Sequence, residues 1–216
     1  MSYTKNRQSR PIAGAWEDKV TEDYISQWGE LKLHRKIPEL CELLSSEVVL
    51  DIGCGSGAAV RAIAKNLATG QVTGIDPTTK MIEIASVLTA DENLVHNVSF
   101  FIADAERIPA EDESCDVVLA ANSINHWVDV NSGLNEVLRI LKPSGRFISI
   151  DDLWEESIEY SQESVENNND STCNYELKTV NGIIQLLNDV GFSNISSYEN
   201  REPDATASVV TGYKES

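Results

Sequence analysis

Positive charge is scarce in this sequence. Its 216 residues hold 17 Lys and Arg against 35 Asp and Glu, a formal net charge of −18. The clustered cations that a phosphate backbone requires are missing, so a DNA or RNA substrate is not expected. The acid excess reads first as solubility. Cysteine is equally sparse: Cys41, Cys54, Cys115 and Cys173 stand far apart with no C-x-x-C. That spacing gives neither a zinc motif nor a disulfide framework, so no metal is expected and a reducing, cytoplasmic setting fits. No stretch approaches the roughly 20 apolar residues of a membrane span, and the start, Met-Ser-Tyr-Thr-Lys-Asn-Arg, lacks the apolar core of a signal peptide. Internal repeats and linker-like segments are missing too, and the length suits one domain.

What the chain does have is concentrated at Val48 to Gly57, Val-Val-Leu-Asp-Ile-Gly-Cys-Gly-Ser-Gly. The apolar run reads as a parallel strand buried on both faces, delivering the backbone into a glycine loop that opens a helix. Gly53, Gly55 and Gly57 are expected to remove Cβ atoms where a ligand approaches the main chain. Gly53, Gly55 and Ala58 also fit G-x-G-x-x-G/A, with Asp76 at the distance of a ribose-binding acid, so a nicotinamide-dependent oxidoreductase is one reading. Asp51 favours another. A carboxylate two residues before the first glycine would repel a pyrophosphate and suits an ammonium or sulfonium, so the loop reads as a site for a nucleoside with a positive tail. Cys54, inside the loop, reads as a buried thiol chosen for its volume rather than as a nucleophile.

Around this element strand and helix alternate, which indicates an α/β fold. Residues 1 to about 20 are polar and aperiodic and are expected to form an arm that orders over a ligand. From about Glu22 the period turns helical, with Tyr24, Trp28 and Leu31 on one face, and Pro38 is expected to start a second helix. This segment is either a pair of helices on the sheet edge or a lid with Trp28 toward a substrate. A second strand, Gln71 to Asp76, ends on a carboxylate that can accept ribose hydroxyls and also cap the next helix; Pro77 and Met81 beside it can flank an adenine ring. The third strand leads to Asp104 and Ala105, an acceptor and an amide that together could read an adenine edge. The fourth, Cys115 to Ala121, empties into Asn122-Ser123-Ile124-Asn125-His126-Trp127. His126 is a candidate general base, with an ordinary value of about 6.5, or a loop histidine packed with Trp127. A helix over 130–142 should stop at Lys142-Pro143-Ser144-Gly145 before a fifth strand, 146–151. Asp152, Trp154 and Glu155 then line a substrate pocket or a surface loop, within an acidic crossover. A helix over 178–190 and two short strands close the chain.

Taken together, these motifs resemble the class I S-adenosylmethionine-dependent methyltransferases, in particular the small-molecule group that includes ubiquinone/menaquinone-biosynthesis C-methyltransferases. The likeness rests on Val-Leu-Asp-Ile-Gly-Cys-Gly-Ser-Gly (49–57), Val-Thr-Gly-Ile-Asp (72–76) with Met81, Ala-Asp-Ala-Glu-Arg-Ile-Pro (103–109), Cys-Asp-Val-Val-Leu (115–119) and Glu-Val-Leu-Arg-Ile-Leu-Lys-Pro-Ser-Gly (136–145). It implies a Rossmann-like, mostly parallel sheet of order 3-2-1-4-5-7-6 with the last strand antiparallel and helices on both faces. Residues 1–45 would form the lid or arm, 46–151 the cofactor core, and 152–216 the crossover, helix and terminal hairpin. It further implies S-adenosyl-L-methionine as cofactor and S-adenosyl-L-homocysteine as product. Asp51 and the loop Gly53-Cys54-Gly55 would hold the methionine end, Asp76 the ribose, Asp104 and Ala105 the adenine, and Asn122 would lie beside the methionine. The acceptor would be a small molecule, met by Trp28, Trp127, Asp152 and Trp154, in a monomer or homodimer. A protein that binds the nucleoside without catalysis is the remaining alternative. No Asn/Asp-Pro-Pro-Tyr/Phe signature of nucleic-acid amino-methylating enzymes follows the fourth strand.

Overall fold

The computed structural model describes residues 14–152, 179–203 and 205–216; the expectations for Trp154, Glu155 and most of the 152–177 crossover fall outside them. Two helices, α1 (Asp18–Trp28) and α2 (Lys32–Leu40), precede the alternation β1 (Val48–Ile52), α3 (Ala58–Asn66), β2 (Gln71–Asp76), α4 (Thr79–Asp91), β3 (Val98–Ile102) and β4 (Cys115–Ala121). A 3-10 turn (Ile124–His126), α5 (Val130–Ile140) and β5 (Leu141–Asp152) follow, and α6 (Val180–Val190), β6 (Ser193–Asn200) and β7 (Ala207–Tyr213) close the chain. The seven strands form one sheet ordered β3-β2-β1-β4-β5-β7-β6. Its first five members run parallel, and β7 is antiparallel to both of its neighbours. This is the α/β fold and strand order that the resemblance implied.

Burial on both faces explains why the central strands are apolar without alternation. In β4, Val118 and Ala120 join Leu50, Ile52 and Phe147 under α5 and α6, where Leu134, Val137, Ile183 and Leu187 meet them. Val117 and Leu119 face the other way, with Val49, Ile148 and Ile150, under Leu33 and Ile37 of α2 and Val60 and Ile63 of α3. Each strand thus serves two cores through its two-residue period. The carboxyl ends of the parallel strands share one edge, because Ile52 is in register with Ile75 and Asp76 with Ile102. The order reverses between β1 and β4, which opens a crevice beyond those ends.

Two local expectations are corrected. Pro38 does not begin α2 but lies inside it, near its end. A proline there costs about 3 kcal/mol, yet Leu33, Ile37 and Cys41, at four-residue spacing, are all buried. Burying such side chains yields about 1.5–3 kcal/mol each, so packing on α3 outweighs the lost hydrogen bond. The Lys142-Pro143-Ser144-Gly145 stop is likewise part of β5. Leu141 already pairs with Cys115, and the register then jumps to Val117 and Arg146, leaving a bulge that contains Ser144 at φ 63°. Lys142 holds the bulge from outside through a 2.8 Å bond to Asp116.

Phe147 is fully buried at the centre of the first core, against Trp127 and Phe192. Phe147→Ala should lower unfolding free energy by about 3–5 kcal/mol in urea titration. Val87→Ala, at a side chain 60% exposed, should change it by less than about 0.5 kcal/mol.

Candidate functional site

The crevice beyond the strand ends is a cleft of about 960 Å³, partly open to solvent. Asp51, Gly53, Cys54 and Gly55 line it from β1 and its loop, Asp76, Pro77 and Met81 from β2 and α4, Asp104 and Ala105 from the β3 exit, and Asn122 from β4. Every residue assigned to a cofactor from the sequence therefore meets in one place. Trp28, His126 and Trp127, expected on the acceptor side, line the same cleft. Asp152 does not. It stands behind Asn122, whose Oδ1 accepts the Asp152 amide at 2.9 Å and whose Nδ2 donates to Asp152 Oδ2 at 3.2 Å. This double clasp holds Asn122 at φ 50°, a left-handed conformation that asparagine tolerates.

The glycines divide differently from the expectation that all three clear space for a ligand. A Cβ on Gly53 would sit 2.6 Å from the Ser123 Cβ, and one on Gly57 would sit 3.0 Å from Ala85 and Phe100. Both are required by protein packing and by positive φ. Only at Gly55 is the space open, with Met81 Sδ 3.9 Å away as the nearest atom. The loop is tied to β2 by its own amides: Gly53 and Cys54 donate to Ile75 O at 2.8 and 3.0 Å, and Gly55 donates to Asp76 Oδ2 at 3.0 Å. Ser123 closes the far side by donating to Ile52 O at 2.6 Å. Cys54 is buried, and its thiol is pushed well above its ordinary value by burial and by the nearby Asp76 and Asp51. It stays protonated, as the volume reading requires.

Two carboxylates dominate the floor. Asp76 accepts the amides of Gly55 and, at 2.8 Å, Thr78, so it supports the start of α4 while lining the cleft. Burial still raises its pKa above the ordinary value, against those two hydrogen bonds and a further one from the Thr78 side chain. Asp51 is more extreme. Its Oδ1 is buried without a hydrogen-bond partner, and burial, then the charge of Asp76, lift it well above the usual carboxylate range. Among the described lining residues none is Lys or Arg. His34 gives no compensation, because burial and Arg61 press it down to about 4, and its neutral ring accepts the Leu31 amide at 3.2 Å.

The roof comes from the N-terminal segment. The Trp16 amide donates to Thr78 Oγ1 at 3.0 Å. Its ring stands edge-on to Tyr24 at 5.0 Å and to His126 at 5.8 Å. At the other end of α1, Ser56 Oγ donates to Gly29 O at 3.2 Å. Arg61, side chain only 4% exposed, joins Ser56 O at 2.6 Å, Glu92 at 2.9 Å and Glu30. The packed-edge reading of Tyr24 is thus replaced by one in which it lines the cleft. Burial, then the charges of Asp152 and Asp76, raise its hydroxyl above its ordinary value. Thr78, Ser123 and His34 also line the cleft and were not legible from motif spacing; Ser123 and Thr78 carried only one signal, a hydroxyl adjoining a strand-end Asn or Asp-Pro.

Comparison with known proteins gives the same outline. Residues 50–149 match the family model of a methyltransferase domain. The methyltransferase GfsG of Streptomyces halstedii is 32% identical over 139 residues, which cover 64% of this chain and 49% of that protein. The ubiquinone/menaquinone biosynthesis C-methyltransferase UbiE of Rickettsia akari is 35% identical over 124 residues, 54% of this chain and 47% of that one. The chain therefore spans about half the length of these curated relatives. Among solved structures, a SAM-dependent methyltransferase from Aquifex aeolicus shares the fold with a TM-score of 0.68 at 20% identity, covering 92% of this chain and 98% of that one. Residues 50–149 of the chain are thus similar to a methyltransferase domain, and its strand order is set in a fold shared with a solved SAM-dependent methyltransferase.

Proposed function

We propose that this chain transfers a methyl group from S-adenosyl-L-methionine to a small-molecule acceptor in the cytoplasm, leaving S-adenosyl-L-homocysteine. The observation that carries the reading is Asp51 Oδ1, a buried acceptor with no partner in a cleft whose described lining holds no Lys or Arg. A ligand bringing a positively charged donor satisfies such a group best, and a nucleoside with an ammonium and a sulfonium does so. A dinucleotide pyrophosphate would add negative charge beside Asp51 and Asp76, which disfavours the oxidoreductase alternative.

The family likeness distributes the remaining roles. Asp76 accepts the Gly55 and Thr78 amides and the Thr78 hydroxyl, and its remaining acceptor capacity would meet a ribose hydroxyl. Asp104 and the Ala105 amide would face the adenine edge, with Pro77 and Met81 along its faces. Gly55, Cys54 and Gly53 would bound the methionine end, and Asn122, fixed by Asp152, would set its far wall. When bound, the cofactor supplies an already activated methyl group on sulfur. The protein's task is then to align the acceptor with that methyl and keep water out, and the roof of Trp16, Tyr24 and Trp28 suits both. His126, on the loop beside Trp16, would take the proton of a hydroxyl or carbon-acid acceptor. Free, buried Cys41, Cys54 and Cys115 suit a reducing compartment.

The test is transfer of labelled methyl from S-adenosylmethionine to a metabolite extract, with mass spectrometry of the product; binding without incorporation into any fraction would leave the non-catalytic reading. Asp76→Asn should weaken S-adenosylhomocysteine binding by about 1–3 kcal/mol in calorimetry, and unchanged affinity would remove the ribose assignment. With the acceptor identified, His126→Ala should cut turnover by about 100-fold while cofactor affinity stays within twofold. A fall of less than about threefold returns His126 to a packing role.

A further inference from the structure

The cleft has a second chemical character beyond its cofactor floor. Once Asp51, Asp76 and Asp104 are set against the nucleoside, what remains toward the opening is rings: Trp16, Tyr24, Trp28 and His126. Trp16 meets Tyr24 at an interplanar angle of 74° and His126 at 80°, so the three rings make two near-right-angled corners that offer flat apolar faces. Trp28 lines the cleft yet is 45% exposed, an apolar surface that a bound ring would cover. The charges point one way. Glu106 adds a fourth carboxylate to the lining, Asp152 lies directly behind Asn122, and the charges of Asp152 and Asp76 reach Tyr24. Arg61 pairs with Glu30 and Glu92, and Lys80 with Glu22.

An anionic acceptor would enter this field with no Lys or Arg among the described lining residues, while a neutral ring would gain apolar contact without repulsion. Resting on the methyl-transfer reading above, we infer that the acceptor is a flat ring compound without negative charge, seated against the aromatic roof, and that carboxylated or phosphorylated acceptors are refused by the carboxylates below.

A matched pair of probes tests this on the full-length chain saturated with S-adenosylhomocysteine: 2-naphthol, neutral at pH 7, and 2-naphthoate, its carboxylate counterpart, titrated by tryptophan fluorescence. 2-Naphthol should bind about tenfold or more tightly than 2-naphthoate at low salt, and the gap should narrow as salt rises. Val128 lines the cleft and is 65% exposed, so Val128→Lys should fold and should tighten 2-naphthoate about fivefold or more with little effect on 2-naphthol. Trp28→Ala should weaken 2-naphthol while cofactor affinity is kept. Equal or tighter binding of 2-naphthoate, or no detectable binding of either ring, overturns the inference. Failure of S-adenosylhomocysteine itself to bind would instead strike the methyl-transfer reading on which it rests, and the inference would fall with it.

Discussion

Two carboxylates are buried at the ends of neighbouring parallel strands, and among the described residues lining the cleft no Lys or Arg neutralises them. Asp51 pairs in register with Gly74 on β2, two residues before Asp76, so the sheet itself fixes their separation and the fold cannot relax it. Burying charge in this way is costly, and a protein selected only for stability would place a paired or apolar group at Asp51. Its folded pKa is raised, so its favourable contribution to stability is complete below the unfolded value and is lost as pH rises through the folded one. Once pH exceeds the folded value, the unliganded floor carries two buried charges, which a cationic ligand end relieves.

The rest of the molecule holds that floor in place and covers it. Two apolar cores fix the sheet from both sides. The glycine loop is stitched to β2 through Ile75 O and the Asp76 carboxylate, so the protein's own groups hold the turn. Above it, α1 is fastened at both ends, through Trp16 to Thr78 and through Gly29 to Ser56. Arg61 carries the second fastening into the interior, since it touches the glycine loop, the α1–α2 turn and the end of α4 at once. The roof and the floor are in this sense one hydrogen-bonded unit.

Much of this was legible in the sequence because parallel strands buried on both faces leave an unmistakable mark. The runs at 48–52, 71–76 and 115–121 coincide with β1, β2 and β4, and each acidic or amide residue just beyond such a run lines the cleft. The misreadings share a cause, a local rule overridden by packing at a distance. Pro38 signals a helix start, yet the face of Leu33, Ile37 and Cys41 continues through it. The glycines signal a ligand, yet Gly53 and Gly57 answer to Ser123, Ala85 and Phe100, more than 25 residues away in the chain. Asp152 has the look of a pocket residue, and its part in the structure is a bond to Asn122, which does line the cleft. The roof was half visible: Trp16, Tyr24 and Trp28 are dense in aromatic character, but no spacing rule shows that a helix outside the alternating core returns to the strand ends.

The claim on which all of this depends is that Asp51 is held above its ordinary pKa until a positively charged ligand reaches it. Carboxyl carbon NMR of the 13C-labelled chain, with the Asp51 signal assigned through Asp51→Asn, measures this directly by titration with and without S-adenosylhomocysteine, whose ammonium supplies the charge. The Asp51 midpoint should lie well above about 3.9 in the free protein and should move down by about one unit or more on binding, with release of a proton at pH values between the two midpoints. An ordinary midpoint in the free protein, or one that the ligand leaves unmoved, would contradict the account.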